Sequence, residues 1–308
     1  MTSRPVRGFL AMLAAERGAA QNTILGYERD LEDYTSALAA RGLDPLTADV
    51  AAIRSYLQQL SEAGLAAATI ARRLSALRQF HGFLYAEGHR GEDPTVTLKG
   101  PRKTMRIPKV LTLEDVDRLL KAAESGITEA KTPVARLAAL RLAAQVELLY
   151  ATGLRVSELL ALPAASIHAK RDHLVVRGKG NKERIVLLTD AARQAVERYR
   201  SAMDGRKGRE PSRYLFPAEG ATGHLARQVF ARDLKRLAGR AGIAVESLTP
   251  HGMRHAFATH LLQNGADLRI VQQLLGHADI ATTQIYTHVL DERARAMVRD
   301  LHPLNDER

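Results

Sequence analysis

Apolar residues in the first hundred positions recur at the spacing of a helix face. The clearest stretch runs from Thr69 to Glu87, and its apolar positions follow a period of about 3.6 residues: Ile70, Leu74, Leu77 and Leu84. A second helix is predicted from Val50 to Ser61, and an earlier one begins at Thr23, which can serve as its N-cap. The pattern predicts an entirely helical N-terminal domain.

A basic segment containing two prolines follows this helical region. Residues 99–109 read KGPRKTMRIPK, in which Pro101 and Pro108 disfavour a helix. The same segment carries five basic side chains. We predict an extended basic linker here, between a helical domain at residues 1–98 and a second domain at residues 110–308.

The second domain begins with strong helix signals. Thr112 and Asp115 have the spacing of an N-cap and its partner at the third helical position. A long helix is predicted from Val134 to Thr152 and ends at Gly153. A further short helix is predicted from Ser157 to Leu162.

The period then changes from that of a helix to that of strands. Two short runs rich in Val, Ile and Leu, His173–Arg177 and Arg184–Leu188, flank turn residues and predict a β-hairpin. A polar loop is predicted from Asp204 to Arg213, and helices follow Leu225, broken by three glycines: Gly242, Gly265 and Gly276. The predicted fold is mainly α, with two domains and a small hairpin in an α+β second domain.

Composition and charge narrow the classes of function. The hydrophobic share of 45% can form a core, and the sequence contains no cysteine, which excludes disulfides, thiol nucleophiles and cysteine-based zinc sites. It shows no apolar run of about 18 residues and no apparent secretory signal, so we expect a cytoplasmic protein that does not enter a membrane.

The net charge of +11 is concentrated in the second part of the chain. Residues 1–104 hold 13 basic and 11 acidic side chains, a net +2, and residues 105–308 hold 32 and 23, a net +9. Such an excess is typical of proteins that bind nucleic acid, although a solvated basic surface gives the same count.

Two basic residues stand where local structure does not need them. Arg155 follows the helix end at Gly153 and can fork two oxygens of an anion, or else form a surface ion pair. Lys179 lies between two glycines at the hairpin tip. It is either a proton donor or an ordinary turn residue that contacts phosphates.

A third group lies at the start of a predicted helix. Thr249 is a natural N-cap and Pro250 a natural first residue, which puts His251 and Arg254 in the first turn, on one face. Helix N-termini favour anions, so these residues indicate a phosphate site. A zinc site using His255 and His260 is disfavoured, because Arg254 would repel the cation and the sequence has neither the zinc-protease spacing nor a cysteine.

The fourth group is Gly276-His277, followed nine residues later by Tyr286. The glycine ends a helix and places His277 in the next turn. A lone tyrosine usually packs against a core, but its hydroxyl can also attack phosphorus and form a covalent ester. The presence of two arginines, two histidines and a lysine in the same domain favours the second interpretation.

Taken together and in order, these residues resemble the tyrosine recombinases of the phage-integrase type. The resemblance rests on the words ATGLR, GKGNKER, TPHGMRH, LLGH and IYTH, which hold Arg155, Lys179, His251, Arg254, His277 and Tyr286. The N-terminal region is similar to the helical, SAM-like core-binding domain of the family. Within the family, the length, the linker and the C-terminal THVLDERARAMVRDLHPL are most similar to the bacterial Xer type, nearer the D-type than the C-type subunit.

The resemblance implies a mechanism that needs no metal and no cofactor. Tyr286 would attack a DNA phosphodiester, giving a 3′-phosphotyrosine and, after a second strand exchange, resolution of a Holliday junction. Arg155 and Arg254 would hold the non-bridging oxygens. His251 would assist in proton handling and contact the phosphate, and His277 would hydrogen-bond the same phosphate. Lys179 would protonate the 5′-oxygen that leaves.

The resemblance also implies a clamp of two domains round double-stranded DNA and a set of partners. These are a recombination site, a sister Xer recombinase in a heterotetrameric synapse, and an FtsK-like cell-division DNA translocase. Chromosome-dimer resolution at cell division is the implied task. The helix from about Asp291 to Leu301 would dock on a neighbouring protomer, with packing on its own domain as the alternative. Our candidates for DNA contact, which a solvated basic face could equally explain, are Arg72, Arg73, Gln79, Lys99, Arg102 and Lys103.

Other functions keep some of these features. An integrase of a mobile element would share all the chemistry, and a type IB topoisomerase would share the tyrosine, arginine and lysine set. A DNA-binding regulator without catalysis would keep the fold, which the intact six-residue set argues against. A metal-dependent hydrolase would differ in being sensitive to EDTA.

Overall fold

The computed structural model describes residues 3–101, 110–167, 171–177, 183–204, 212–220, 222–245 and 248–276. The chain divides into two compact units, Met1–Ile107 and Pro108–Arg308, each with its own hydrophobic core. The division falls between Ile107 and Pro108, inside the predicted basic linker, whose residues 102–109 lie outside the described part. Each unit is described by itself.

The N-terminal unit consists of helices packed on one core. Its described helices are α1 (Arg4–Ala15), α2 (Gln21–Ala39), α3 (Val50–Glu62) and α4 (Ala67–Ala86). The predicted apolar face of α4 is buried, together with aromatic residues of α1 and α2. The predictions for α3 and α4 are confirmed to within two residues at each end, whereas α1 was not predicted.

The prediction that Thr23 caps a helix is wrong. Helix α2 begins two residues earlier at Gln21, with Ala20 in extended conformation as its N-cap and without a side-chain cap. The chain turns at Gly18, which has a φ of +54°, and re-enters a helix at once. Thr23 is therefore already in the first turn, where its backbone N–H donates to Ala20 O at 2.8 Å.

The C-terminal unit is built around one buried helix and carries the hairpin. Its described elements are α5 (Leu113–Thr128), α6 (Pro133–Thr152), α7 (Val156–Leu160), β1 (His173–Arg177), β2 (Glu183–Leu187), α8 (Asp190–Asp204), α9 (Arg227–Arg240), α10 (Pro250–Gln263) and α11 (Leu268–Leu275). The C-terminal half of α6 is buried on nearly every side. The strands pair antiparallel, with His173 opposite Leu187, which confirms the predicted hairpin.

Helix ends in this unit follow the local sequence. Thr112 and Asp115 form a reciprocal capping box at the start of α5, as predicted. Gly153 ends α6 in the left-handed conformation, with a φ of +59°, which also agrees with the prediction. The helix predicted from Ser157 to Leu162 is shorter, and α8 was not predicted.

None of the helices within the described ranges is long and apolar enough to cross a membrane.

Candidate active site

Three arginines from three different elements surround one glutamate in the C-terminal unit. Arg155 is the N-cap residue of α7, Arg184 lies on β2, and Arg254 lies near the start of α10. The glutamate is Glu158, one turn into α7. We call these four residues the arginine cluster.

Glu158 holds two of the arginines directly. Its Oε1 accepts from Arg155 Nη1 at 3.0 Å and from Arg184 Nη1 at 2.9 Å. Its Oε2 accepts from Arg184 Nη2 at 2.7 Å and from the backbone N–H of Arg155 at 2.8 Å. Arg155 is therefore fixed at both its backbone and its side chain, while 38% of that side chain remains exposed.

The same contacts set the charge state of Glu158. Burial by itself would raise the pKa of this carboxyl, but hydrogen bonds from Arg184 and Arg155 outweigh burial and hold the pKa at about 2. Glu158 is thus ionised near neutral pH. Three guanidinium charges against one carboxylate leave the cluster with a net charge of +2.

Arg254 is buried, with 8% of its surface exposed. Its Nη1 donates to Gly153 O at 2.6 Å, and its Nη2 donates to Leu275 O at 2.5 Å. Burial, reinforced by the neighbouring charges of Arg155 and Arg184, lowers the pKa of Arg254 to about 10. The side chain still carries its charge near neutral pH, in a place where an added anion would relieve like-charge repulsion.

The three arginines also converge on the C-terminal end of α11. Three successive carbonyl groups each accept from a different arginine. Leu274 O accepts from Arg184 Nε at 3.0 Å, Leu275 O accepts from Arg254, and Gly276 O accepts from Arg155 Nη2 at a long 3.4 Å. The carbonyl end of a helix carries partial negative charge, which stabilises cations there. The end of α11, immediately before His277, is therefore tied to the cluster.

The start of α10 has the predicted cap. Thr249 Oγ1 accepts from the backbone N–H of Gly252 at 2.9 Å, and Pro250 is the first helical residue. His251 is exposed in this first turn, while Arg254 points inward to the cluster. The predicted phosphate site therefore has one buried cation and one exposed histidine.

The two histidines that were considered as zinc ligands have different surroundings in the structure. His255 is exposed on α10. His260 is buried, where its Nε2 donates to Leu111 O at 2.9 Å and its Nδ1 accepts from the Tyr150 hydroxyl at 2.9 Å. Both ring nitrogens of His260 are thus engaged. Within the described ranges, histidine and acidic side chains form no group of three or more that could hold a metal ion.

Several predicted residues lie outside the described part of the chain. These are Lys179, His277 and Tyr286 among the candidates for catalysis, Arg102 and Lys103 among those for DNA contact, and the predicted helix from Asp291 to Leu301. The structure therefore brings together Arg155 and Arg254 from the predicted set.

The predicted DNA contacts of the N-terminal unit are largely paired. Arg72 forks Asp30. Arg73 contacts Asp33 and also donates from Nη1 to the Tyr56 hydroxyl at 2.8 Å. Gln79 Oε1 accepts from Arg17 Nη1 at 2.9 Å, and Lys99 is exposed.

Sequence reasoning missed Glu158 and Arg184 as site residues. Glu158 had a detectable signal, because a glutamate three residues after Arg155 has the spacing of a helix N-terminal partner. Arg184 had no such signal in the sequence, because its partners Glu158 and Leu274 lie 26 and 90 residues away.

The cluster combines fixed guanidinium groups with excess positive charge, properties that favour the binding of an anion such as a phosphate. Comparisons with known proteins identify the family. Residues 109–293 match the phage integrase family, and residues 6–88 match the phage integrase N-terminal SAM-like domain.

Similar curated proteins share nearly the whole chain. The chain is 54% identical over 304 residues to the tyrosine recombinase XerD of Rhizobium meliloti (strain 1021), covering 99% of this chain and 96% of that protein. It is 47% identical over 298 residues to the XerD of Caulobacter vibrioides (strain ATCC 19089 / CIP 103742 / CB 15), covering 96% and 95%.

A solved structure shares the fold. The XerH site-specific recombinase bound to palindromic difH substrate, a post-cleavage complex, has a TM-score of 0.68 and 20% identity, covering 96% of this chain and 84% of that one. The chain belongs to the phage integrase family, and it is a site-specific tyrosine recombinase.

Proposed function

We propose that this recombinase cuts DNA through Tyr286 and holds the scissile phosphate with Arg155 and Arg254 of the arginine cluster. The observation that carries the proposal is the burial of Arg254 beside Arg155, with a net charge of +2 around a single carboxylate. Fixed cations of this kind stabilise the negative charge that builds up on the phosphate oxygens in the transition state.

The proposed cleavage exchanges one phosphate ester for another, so it needs no external energy source. The Tyr286 hydroxyl attacks phosphorus and gives its proton to His251, the bond to the 5′-oxygen breaks, and the products are a 3′-phosphotyrosine and a free 5′-hydroxyl. Lys179 protonates the leaving oxygen, while His251 and His277 contact the phosphate. Attack by another 5′-hydroxyl reverses the step and joins the new strand. Because arginines supply the charge, we expect cleavage to proceed in EDTA.

The proposed task is the resolution of chromosome dimers at cell division. Its support is the near full-length similarity to proteins named XerD, at 47–54% identity. We therefore propose double-stranded DNA with a recombination site as the substrate, a sister recombinase in a heterotetrameric synapse, and an FtsK-like translocase as a further partner. The place of action is the nucleoid, in the cytoplasm.

We propose the following division of labour along the chain. Residues 1–98 form a DNA-binding domain, residues 99–109 a basic linker, and residues 110–308 the catalytic domain. The proposed DNA contacts outside the catalytic domain are Arg72, Arg73, Gln79, Lys99, Arg102 and Lys103. Arg72 is a good candidate for a DNA contact because 51% of its side chain is exposed even though it forms an ion pair with Asp30.

Covalent trapping tests this function. The protein is mixed in EDTA with a labelled, nicked duplex that carries a chromosomal dimer-resolution site, with and without a sister recombinase, and resolved on a denaturing gel. We expect a slow band that Tyr286→Phe abolishes while DNA binding is retained. An adduct that survives in Tyr286→Phe would contradict the assignment of the nucleophile.

The same assay separates the alternatives. A band only on the end of a mobile element would assign the enzyme to integration, with the chemistry unchanged. The absence of a band on every DNA, with or without a sister recombinase, would contradict the proposed chemistry.

A further inference from the structure

Arg184 uses every nitrogen of its guanidinium group inside the protein. Nη1 and Nη2 form a fork on Glu158, and Nε donates to Leu274 O at 3.0 Å. Only 10% of the side chain is exposed. A guanidinium group whose nitrogens all donate within the protein orients its neighbours and is not directed at a ligand.

These contacts join three elements that carry different parts of the proposed chemistry. Through Glu158, Arg184 holds the side chain and backbone N–H of Arg155. Through Leu274 O it holds the end of α11, after which His277 follows in sequence. Arg184 itself stands on β2, the strand that follows the segment containing Lys179.

Gly276 provides the space for this arrangement. A Cβ placed on Gly276 would lie 2.9 Å from Arg184 Cδ and 3.3 Å from its Nε, closer than a side chain can normally approach. Gly276 also adopts a φ of +68°, a conformation that favours glycine. The glycine that ends α11 in a left-handed turn therefore also leaves the space that the Arg184 side chain occupies.

We propose that Arg184 is a positioning residue for DNA cleavage. It orients Arg155 through Glu158 and fixes the end of α11, so that the phosphate site and the chain leading to His277 keep one relative geometry. This inference rests on the proposed function. Arg184 acts through its neighbours, so its loss should slow the chemical step and leave DNA affinity unchanged.

Arg184→Lys is the direct test, because lysine keeps the charge but cannot form the fork together with a third hydrogen bond. The matched control is Arg198→Lys. Arg198 forms a fork of the same kind on Glu124, at 2.5 and 2.9 Å, at a half-exposed place outside the cluster.

The measurement is single-turnover cleavage of the nicked duplex over a range of protein concentrations. For Arg184→Lys we expect the rate at saturating protein to fall about 10- to 100-fold, the cost of misplacing reacting groups by about 1 Å. The half-saturating concentration should stay within about twofold of the wild type, and Arg198→Lys should match the wild type in both values.

A double-mutant cycle asks whether Arg184 acts through Glu158. Glu158→Gln weakens the charged fork, so adding Arg184→Lys to it should cost less than about threefold more. Fully multiplicative losses would overturn the proposed route. Equal rates for Arg184→Lys and Arg198→Lys would overturn the proposal itself, as would a loss confined to DNA affinity.

A second variant covers the case in which Arg184→Lys does not fold. Gly276→Ala leaves the charge of the cluster unchanged and displaces Arg184 by its Cβ. It should reproduce the loss of rate without a loss of affinity, and a wild-type rate for a folded Gly276→Ala protein would contradict the inference. If the wild-type protein itself forms no adduct, the proposed function fails first, and the two failures are thereby distinguished.

Discussion

Each unit of this recombinase contains a group of arginines and acidic residues, and the two groups differ in their balance of charge. In the N-terminal unit, Arg72 and Arg73 face Asp30 and Asp33, two cations against two anions. In the C-terminal unit, Arg155 and Arg184 share Glu158, whereas the hydrogen bonds of Arg254 go to backbone carbonyl groups. The first group is neutral and the second has a net positive charge.

The difference shows what makes an arginine group suited to an anion. Arginine–aspartate pairs near a surface stabilise the packing of two helices modestly, and their opposite charges cancel. Guanidinium groups that outnumber the carboxylates and donate to carbonyl oxygens stay oriented, and the group keeps a net positive charge that favours a phosphate. Sequence alone does not separate the cases, because most partners of these arginines lie far away in the chain and are brought to them by tertiary packing.

The largest expected effect is that of Arg254→Lys. Lysine cannot span Gly153 O and Leu275 O while also facing a phosphate, so cleavage at saturating protein should fall about 100- to 1000-fold. The counterpart in the neutral group, Arg73→Lys, should change that rate by less than about fivefold. Single-turnover gel assays measure the cleavage rate of both variants. Equal losses of rate would contradict the functional difference between the two arginine groups.

The second prediction concerns the frame that holds Arg254. A Cβ on Gly153 would lie 2.5 Å from Phe257 Cδ1, and the residue has a φ of +59°. Gly153→Ala should therefore lower the free energy of unfolding by about 2–5 kcal/mol, from backbone strain and overpacking together.

Gly242→Ala is the matched control for this prediction. Gly242 has a φ of +65° but open space around its Cβ position, so it should lose only about 1–2 kcal/mol. Urea unfolding followed by circular dichroism measures both variants. Equal losses would show that the site near Arg254 has room to relax.

A third prediction uses a feature that the two units share, a buried tyrosine–histidine pair. His81 Nε2 lies 2.9 Å from the Tyr34 hydroxyl, and burial lowers the pKa of His81 from 6.5 to about 4. Burial likewise lowers the pKa of His260. Below pH 6.5 the unfolded chain binds protons that the folded chain does not, so stability must fall as the pH falls.

For His81 this loss should extend from about pH 6.5 down to about pH 4, at up to about 1.4 kcal/mol per pH unit. His81→Gln removes the titrating group and should flatten that part of the stability curve. Urea unfolding at pH 5 and pH 7.5 gives the slope. A variant with the wild-type slope would exclude His81 as its source.

The smallest expected effect is that of Arg72→Ala. If the exposed half of Arg72 contacts a DNA phosphate, its loss should reduce the slope of log affinity against log salt concentration by about 1. Lys121→Ala, an exposed lysine paired with Asp117 on α5, should leave the slope unchanged. Fluorescence anisotropy at several salt concentrations provides the slopes, and an unchanged slope for Arg72→Ala would remove it from the proposed interface.

The sequence was sufficient for elements with strong local signals. The capping box at Thr112, the glycine end of α6 and the alternating strands of the hairpin each depend on residues a few positions apart. The prediction at Thr23 failed for the same reason, because a favourable cap residue does not exclude an earlier start of the helix.

The site was predictable only where helix ends marked it. Arg155 and Arg254 were found because each stands beside a helix start. The contacts that orient them join residues far apart in the chain: Arg155 and Gly276 are separated by 121 positions, and Arg254 and Gly153 by 101. Such pairs depend on tertiary packing and leave no periodic pattern in a single sequence.

The most direct test of the account is a crystal structure of the Tyr286→Phe protein bound to its uncut recombination site. The account predicts that the non-bridging oxygens of the scissile phosphate accept hydrogen bonds from Arg155 and Arg254, while Arg184 keeps its fork on Glu158. A scissile phosphate bound elsewhere, with Arg155 and Arg254 making the same contacts as in the free protein, would contradict it.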